Sequence, residues 1–516
     1  MQTEDTMPDN CNATLWKDDN KHWNSRLVPP LILLTCFLTL FIIPLKILSY
    51  GYLPGDDAMR HAGKVLSNLS WNQILVSAYP IPDVHIGWHQ FLSFFHSMFG
   101  CNADDLVAIA IIILFLCVAL PLLFLFRRPE SWIAGLILCY NLIGNEYRFL
   151  LGRPYVAYVA VIMAALVLRK KLNQKDTCWK TVILLTIGMA VSVWWRTMWF
   201  LYLLPIATFL MARQWRAALR LSGMLVVSTL FMAAASGQPS LIFKSLMLAF
   251  EVMGSSDYTT QLVTELQPLP PRIGIILIPV LIIISIKFRK GNIKHFVDSP
   301  VFYLFVLSWC LGYSSQRWWI DFGAPAILVM VCEETDALLS GKSNTLTPWF
   351  SLARGGTALI ACAILYLAMT GDLNSRWTSA LHNEYVDTTD HSIQKGLPGQ
   401  EGIIYSPNMS VFYQTFFAHP NAGWRYILGY EAAFMPPDDF RIFRNIQWNN
   451  GAWKAFDPWI DKMRSQDRLW IMKAVGAPHP GIDSLEWTRI TSRIWSGRKT
   501  GQSTEKPVSA SLPKKS

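Results

Sequence analysis

What most limits the fold of this chain is the recurrence of long apolar runs between residues 30 and 371. A run of about 20 mostly apolar residues matches the hydrocarbon thickness of a bilayer, and as a helix it satisfies its own backbone groups there. Such runs fall at roughly 28–50, 106–126, 131–145, 154–168, 179–195, 198–213, 217–235, 271–287, 299–313, 319–333 and 354–371. They predict about eleven spans, of which 131–145 is short enough to be tilted or re-entrant. The balance of 52% hydrophobic to 16% charged residues excludes a soluble multidomain protein of this length. The polar segment 1–27 precedes a first run too long for a secretory signal, so that run is expected to stay as an uncleaved span.

The charges between the runs predict orientation. Arg127-Arg128, Arg169-Lys170-Lys171, the stretch from Arg213 to Arg220 and that from Lys287 to Lys294 all fall on one side. By the positive-inside rule that side is the cytoplasm, and the N-terminus lies with it. The net charge of +10 is therefore read as a topology signal, with no nucleic acid implied. On the other side fall the long loop 51–105, the turn Glu146–Arg153, the loop 236–270, Arg317 and the whole C-terminal region. The expected fold class is an α-helical polytopic membrane protein with a small extracytoplasmic C-terminal α/β domain. Its parts are a cytoplasmic segment 1–27, a transmembrane module 28–371 with the first outer loop 51–105, an outer α/β domain 372–500 and a disordered basic tail 501–516. In the outer domain Gly402–Tyr405, Val411–Tyr413 and Leu469–Met472 read as strands, and Asp438–Ile446 and Pro458–Ser465 as helical stretches. Nine cysteines with no CxxC pair, and none in 372–516, support neither a cysteine metal site nor a disulfide framework.

The candidate chemistry gathers on the outer side. In Tyr52-Leu-Pro-Gly-Asp-Asp-Ala-Met-Arg-His-Ala-Gly-Lys64, Pro54 and Gly55 stop the preceding element and Asp56 is placed to cap a new helix. Asp57, Arg60 and His61 then stand at i, i+3 and i+4 and share one face. A capped helix on the membrane surface, with its acids at the positive end of the dipole, is the plain alternative. Further along come Asp83-Val-His85 and Trp88-His89. With Asp57 and His61 they offer carboxylate and imidazole groups suited to a divalent cation, although their spacing matches no defined metal motif. Glu146 and Arg153, then Arg196 within Trp194-Trp-Arg-Thr-Met-Trp199, then Arg317 beside Trp318-Trp319, sit at the outer ends of spans. Each Arg suits either an interfacial anchor stacked on its Trp neighbours or the planar, bidentate binding of a phosphate. Tyr258, next to Asp257, belongs to an outer loop that is either a substrate gate or a plain turn. There is no Gly-rich phosphate loop, no GxSxG elbow and no cytoplasmic segment long enough for a nucleotide-sugar domain. Any donor would have to arrive through the membrane.

With its cytoplasmic N-terminus, its first span running directly into a long outer loop with the motif Gly55-Asp-Asp57, its many further spans and its outer α/β domain, the chain resembles the GT-C superfamily of membrane glycosyltransferases. Protein O-mannosyltransferases and the lipid A aminoarabinose transferase are members. The resemblance implies transfer of a sugar from a polyprenyl-phosphate carrier to a glycan, lipid or protein acceptor at the outer face, with inversion. It makes Asp57 the general base, Asp56 its alternative and Glu146 a second acid. Arg153, Arg317 and Arg196 would stabilise the departing phosphate, and Arg60 would pair with Asp57 or reach that phosphate. The span count is short compared with larger members, and the glycan-acceptor motif of oligosaccharyltransferase is missing. Competing readings are a transporter or flippase, which calls for midplane charges and paired halves, a ligase with its key residues in a late loop, and a non-catalytic assembly protein. A bacterial inner membrane is the expected location, given the compact chain and cysteine-free outer domain. The endoplasmic reticulum is the alternative, since Asn12, Asn68 and Asn408 each open a glycosylation triplet.

Overall fold

A computed structural model describes residues 23–51, 57–143, 146–254, 267–268, 282–285, 291, 293–341, 348–371 and 385–499. Asp56, Asp257, Tyr258, most of the expected span 271–287, the residues before Trp23 and the tail 501–516 lie outside the described residues. The chain divides into two compact units, one of residues 1–65 with 82–382 and one of 66–81 with 383–516.

The first unit is helical. Its elements are α1 (Trp23–Leu48), α2 (Asp57–Ser67, whose last turn passes into the second unit), α4 (Ile86–Phe99), α5 (Ala103–Leu125), α6 (Pro129–Ile143), α7 (Tyr155–Val167), α8 (Arg169–Asn173), α9 (Trp179–Trp195), α10 (Leu203–Met211), α11 (Trp215–Ala235), α12 (Leu241–Gly254), α13 (Ile293–Val297), α14 (Pro300–Gly312), α15 (Ala324–Gly341) and α16 (Pro348–Thr370). Among the described residues four helices are long and apolar enough to cross a membrane: Val28–Leu48, Ala103–Leu125, Trp215–Ala235 and Ala353–Thr370. Five shorter apolar helices accompany them, so the structure does not by itself establish the expected eleven spans. These helices are apolar all round. Leu34, Leu38 and Phe41 on α1, Ile183, Leu184 and Ile187 on α9, and Leu219, Val226 and Leu230 on α11 stay exposed, while Leu40, Ile43, Met189 and Leu221 face inward. An apolar outer surface of this kind suits lipid better than water.

The second unit carries a five-stranded sheet in the order β2-β1-β3-β5-β4, from β1 (Ile403–Tyr405), β2 (Arg425–Tyr426), β3 (Arg468–Met472), β4 (Leu485–Arg489) and β5 (Ile494–Lys499). The pairs β1–β2 and β1–β3 are parallel, and β3–β5 and β4–β5 are antiparallel. Parallel neighbours need crossovers. These are α17 (Met409–Ala418) between β1 and β2, and α18 (Pro437–Trp448) with α19 (Asp457–Lys462) between β2 and β3.

Val411–Tyr413, expected as a strand, is therefore helical. Asn408 accepts a hydrogen bond from the Ser410 amide as its cap, and Val411, Phe412, Thr415 and Phe416 recur at helical spacing on the buried face. The hairpin β4–β5 is not legible in the sequence, because β4 is largely solvent-facing and lacks a clean alternation. The first outer loop is also divided. Residues 66–81 pack with the C-terminal unit: short α3 (Trp71–Ile74) sets Trp71 against Tyr430 at 4.8 Å, and the Val76 amide donates to the Tyr426 carbonyl at 2.9 Å along the edge of β2.

Candidate active site

The site is built on α2, in the first unit. Ala58, Met59 and Ala62 are buried, and the small size of the two alanines lets neighbouring backbone come close. Asn68, at φ 49°, ends the helix in the left-handed conformation usual just past a helix terminus. Asp57 opens the first turn, where a carboxylate is favoured by the dipole.

Arg60 Nε donates to Asp57 Oδ1 at 2.8 Å, as the i, i+3 spacing predicted. Arg153 Nε lies 3.9 Å from Asp57 Oδ2. Arg153 is delivered by the turn between Glu146–Leu150 and α7, where Gly152 has φ +65° and a Cβ added to it would sit 2.8 Å from the Ala58 Cβ. Only glycine combines that conformation with that close approach. Burial alone would raise the Asp57 carboxyl, but Arg60 and Arg153 hold it well below the ordinary carboxylate value. Asp57 keeps 24% of its side-chain surface, so the carboxylate is ionised and reachable.

A second group comes from the loop before α4. Asp83 Oδ1 accepts from the His85 amide at 3.1 Å, and Asp83 Oδ2 lies 2.7 Å from His89 Nδ1. His89 Nε2 is 2.8 Å from His61 Nδ1. Burial and the Arg60 guanidinium hold His61 neutral, well below the usual imidazole value, and burial with Arg60 and Arg196 does the same for His85. The nitrogens of His61 and His89 that face each other cannot both bind a metal. Among the described residues no group of three or more His, Cys, Asp or Glu is arranged to hold one. With two guanidiniums already on Asp57, these residues do not fit a divalent cation.

The segment after α9 closes on this loop. The Thr197 amide donates to the Val84 carbonyl at 2.9 Å, and Gly87 fits against the Trp194 carbonyl, which an added Cβ would meet at 2.2 Å. Arg196 caps α9 and is buried; burial and the Arg317 guanidinium lower it to about 10, against the pull of Asp321, Tyr158 and Asp57, so it stays charged at neutral pH. Arg317 Nε stands 3.8 Å from Asp321 Oδ2. Arg196 Nε, Thr197 Oγ1, Trp195 Nε1 and Trp88 Nε1 are buried with no hydrogen-bond partner among the described residues.

Asp57, Arg60, His61 and Arg153 are thus brought together, with Arg196 within electrostatic reach of Asp57 and Arg317 within reach of Arg196. Glu146 begins the 3₁₀ turn ahead of Arg153, and its backbone alone is described. Sequence reasoning did not single out Asp321, although its i, i+4 spacing from Arg317 was there to read. It also missed Tyr158, whose hydroxyl donates to the Met198 carbonyl and whose ring stacks on Tyr202 at 4.6 Å.

No protein-family model matches the chain. No curated protein matches it either. Among solved structures, the chain is similar to the archaeal oligosaccharyltransferase AglB from Archaeoglobus fulgidus, determined in complex with an inhibitory peptide and a dolichol-phosphate. The identity is 10% and the TM-score 0.47, over 87% of this chain and 70% of that one. A likeness that remote assigns no activity.

Proposed function

We propose that the protein is an integral membrane glycosyltransferase that moves a sugar from a polyprenyl-phosphate carrier to an acceptor hydroxyl at the outer membrane face. The observation that carries this reading is a buried guanidinium and a buried hydroxyl without partners among the described residues, within electrostatic reach of one accessible carboxylate. Arg60 and Arg153 hold Asp57 and Arg317 stands by Asp321, while the buried Arg196 Nε and Thr197 Oγ1 lack partners among the described residues. Buried donors left without acceptors are costly, and an anionic ligand removes that cost. A phosphate is the anion that guanidiniums match in shape.

In this reading the acceptor oxygen attacks the anomeric carbon while its proton passes to the Asp57 carboxylate. The bond from that carbon to the phosphate oxygen breaks, and its electron pair leaves on the phosphate, whose growing charge Arg153, Arg196 and Arg317 stabilise. A single displacement inverts the anomeric centre, and it needs one acid where hydrolases need a pair. The test is turnover of a panel of polyprenyl-phosphate sugars by the purified protein in lipid. Release of polyprenyl phosphate by the wild type and not by Asp57→Asn supports the reading. A wild type that turns over none of the carriers overturns it.

A further inference from the structure

Asp83, His89 and His61 form an unbroken chain of contacts: carboxylate Oδ2 to His89 Nδ1 at 2.7 Å, then His89 Nε2 to His61 Nδ1 at 2.8 Å. An ionised carboxylate only accepts, so His89 Nδ1 carries a proton. When His89 is neutral its Nε2 is therefore a lone pair, and the proton between the rings belongs to His61 Nδ1. That fixes His61 in the tautomer whose Nε2 is also a lone pair. His61 Nε2 is fully buried and has no hydrogen-bond partner among the described residues. It lies one turn from Asp57 on the same helix. The order of the chain is thus set from its far end, and the near end is an open acceptor one helical turn from the reacting carboxylate and within its electrostatic reach.

We propose that Asp83, His89 and His61 are a proton relay whose open end, His61 Nε2, takes over the proton that Asp57 receives from the acceptor, and whose far end keeps it as a His89 imidazolium paired with Asp83. The proposal rests on the reading of Asp57 as the base. The transfer balances atom by atom. One proton is added at His61 Nε2, the Nδ1 proton of His61 crosses to His89 Nε2, and His61 ends as a neutral ring in its other tautomer. Asp57 is returned to its ionised form, and the relay resets for the next acceptor when the His89 imidazolium gives its proton to water at the part-exposed Asp83 end and His61 returns to its first tautomer.

The surroundings favour this direction. His61 feels the Arg60 cation and packs against the rings of His85 and His89, with Asp57 as the acid acting on it among the described residues. A positive charge resting on His61 would lie against Arg60. On His89 it rests against the Asp83 carboxylate, which also feels Lys64 and His85 and is held ionised despite its burial. Arg196 acts on His85 from α9. Asp57, clamped by two guanidiniums, is poorly suited to keep a proton, so a relay that removes it restores the site.

The test that needs no substrate uses the full chain in nanodiscs with 15N-labelled histidine, the hydrogen-bonded His61–His89 pair being picked out by its ring-to-ring coupling. At neutral pH both rings should carry hydrogen on Nδ1. On acidification one proton should enter, with His89 becoming the imidazolium as His61 switches to the Nε2–H form. Asp83→Asn should make that protonation harder, because the carboxylate no longer favours the cation. A His61 ring with hydrogen on Nε2 at neutral pH, an imidazolium located on His61, or a titration that Asp83→Asn leaves in place overturns the relay. In turnover assays His61→Gln should lower kcat at least about tenfold with the KM for the donor little changed, and should remove the acid limb of the pH profile. Wild-type kcat and pH profile in His61→Gln, alongside a dead Asp57→Asn, sink the relay and leave the base standing. Loss in His61→Gln with an active Asp57→Asn sinks the base instead.

Discussion

The two ends of α7 carry opposite kinds of charge arrangement. After Val167, Arg169 meets Glu333 through two parallel contacts, and nearby the Arg128 amide donates to Asp336 while Arg354 Nε meets Glu130 at 2.5 Å. Arg169 and Arg354 there each have an anion of their own. About 20 Å away, at 1.5 Å per residue, Arg153 precedes α7 and shares Asp57 with Arg60, while Arg196 feels the charge of Arg317. Matched pairs of the first kind hold helices together. A buried guanidinium such as Arg196, whose Nε has no partner among the described residues, is less stable by itself and suits a site whose anion is a ligand.

The widest separation between the two ends should come from Asp57→Asn. It should lower kcat by about 10²–10⁴, the usual contribution of a general base, with carrier binding preserved. Next in size, Arg153→Gln should cost about 10²–10³ in kcat, as expected for one group that stabilises developing charge. At the other end Glu333→Gln should lower thermal stability by about 1–3 kcal/mol through the unsatisfied Arg169 and leave the kcat of the folded protein within about twofold of wild type, since a distant matched pair makes no transition-state contact. Gly152→Ala should cost about 1–3 kcal/mol for forcing a side chain into the left-handed region, and should reduce turnover as Arg153 shifts. The smallest effect is on acid stability. The folded Asp57 carboxyl lies below its ordinary value of 3.8, so its stabilisation is complete above that pH and is lost as the pH falls further towards the folded value. Melting curves of wild type and Asp57→Asn should therefore run parallel from pH 7 to about pH 5 and converge only in stronger acid.

The sequence allowed the Asp57–Arg60 pair to be read because one helical turn fixes it, and it allowed most helices to be placed because apolar runs of that length have few alternatives. Arg153 was found as a charge at the end of a span, but its approach to Asp57 depends on the backbone at Gly152, which spacing does not reveal. Asp83, His85 and His89 are legible as ligand types that would suit a cation, at a spacing that matches no defined metal motif. Which ring nitrogens face each other decides between cation and relay, and that is a matter of tertiary packing. In the C-terminal unit Val411-Phe-Tyr413 has strong strand propensity, yet the Asn408 cap and the partners of Phe412 and Phe416 make it helix. The membership of residues 66–81 in that unit could not be read at all, because it rests on an edge contact with a two-residue strand far along the chain.

The most direct test of the central claim, that the Asp57 end of these helices is a phosphate site and the Arg169 end is not, is equilibrium binding of polyprenyl phosphate to the purified protein in nanodiscs. Wild type, Arg196→Gln and Glu333→Gln would be compared. The account predicts binding that weakens about tenfold or more in Arg196→Gln, the loss of one charge-assisted contact, and is unchanged in Glu333→Gln. Equal binding by all three proteins, or no binding by the wild type, would contradict it.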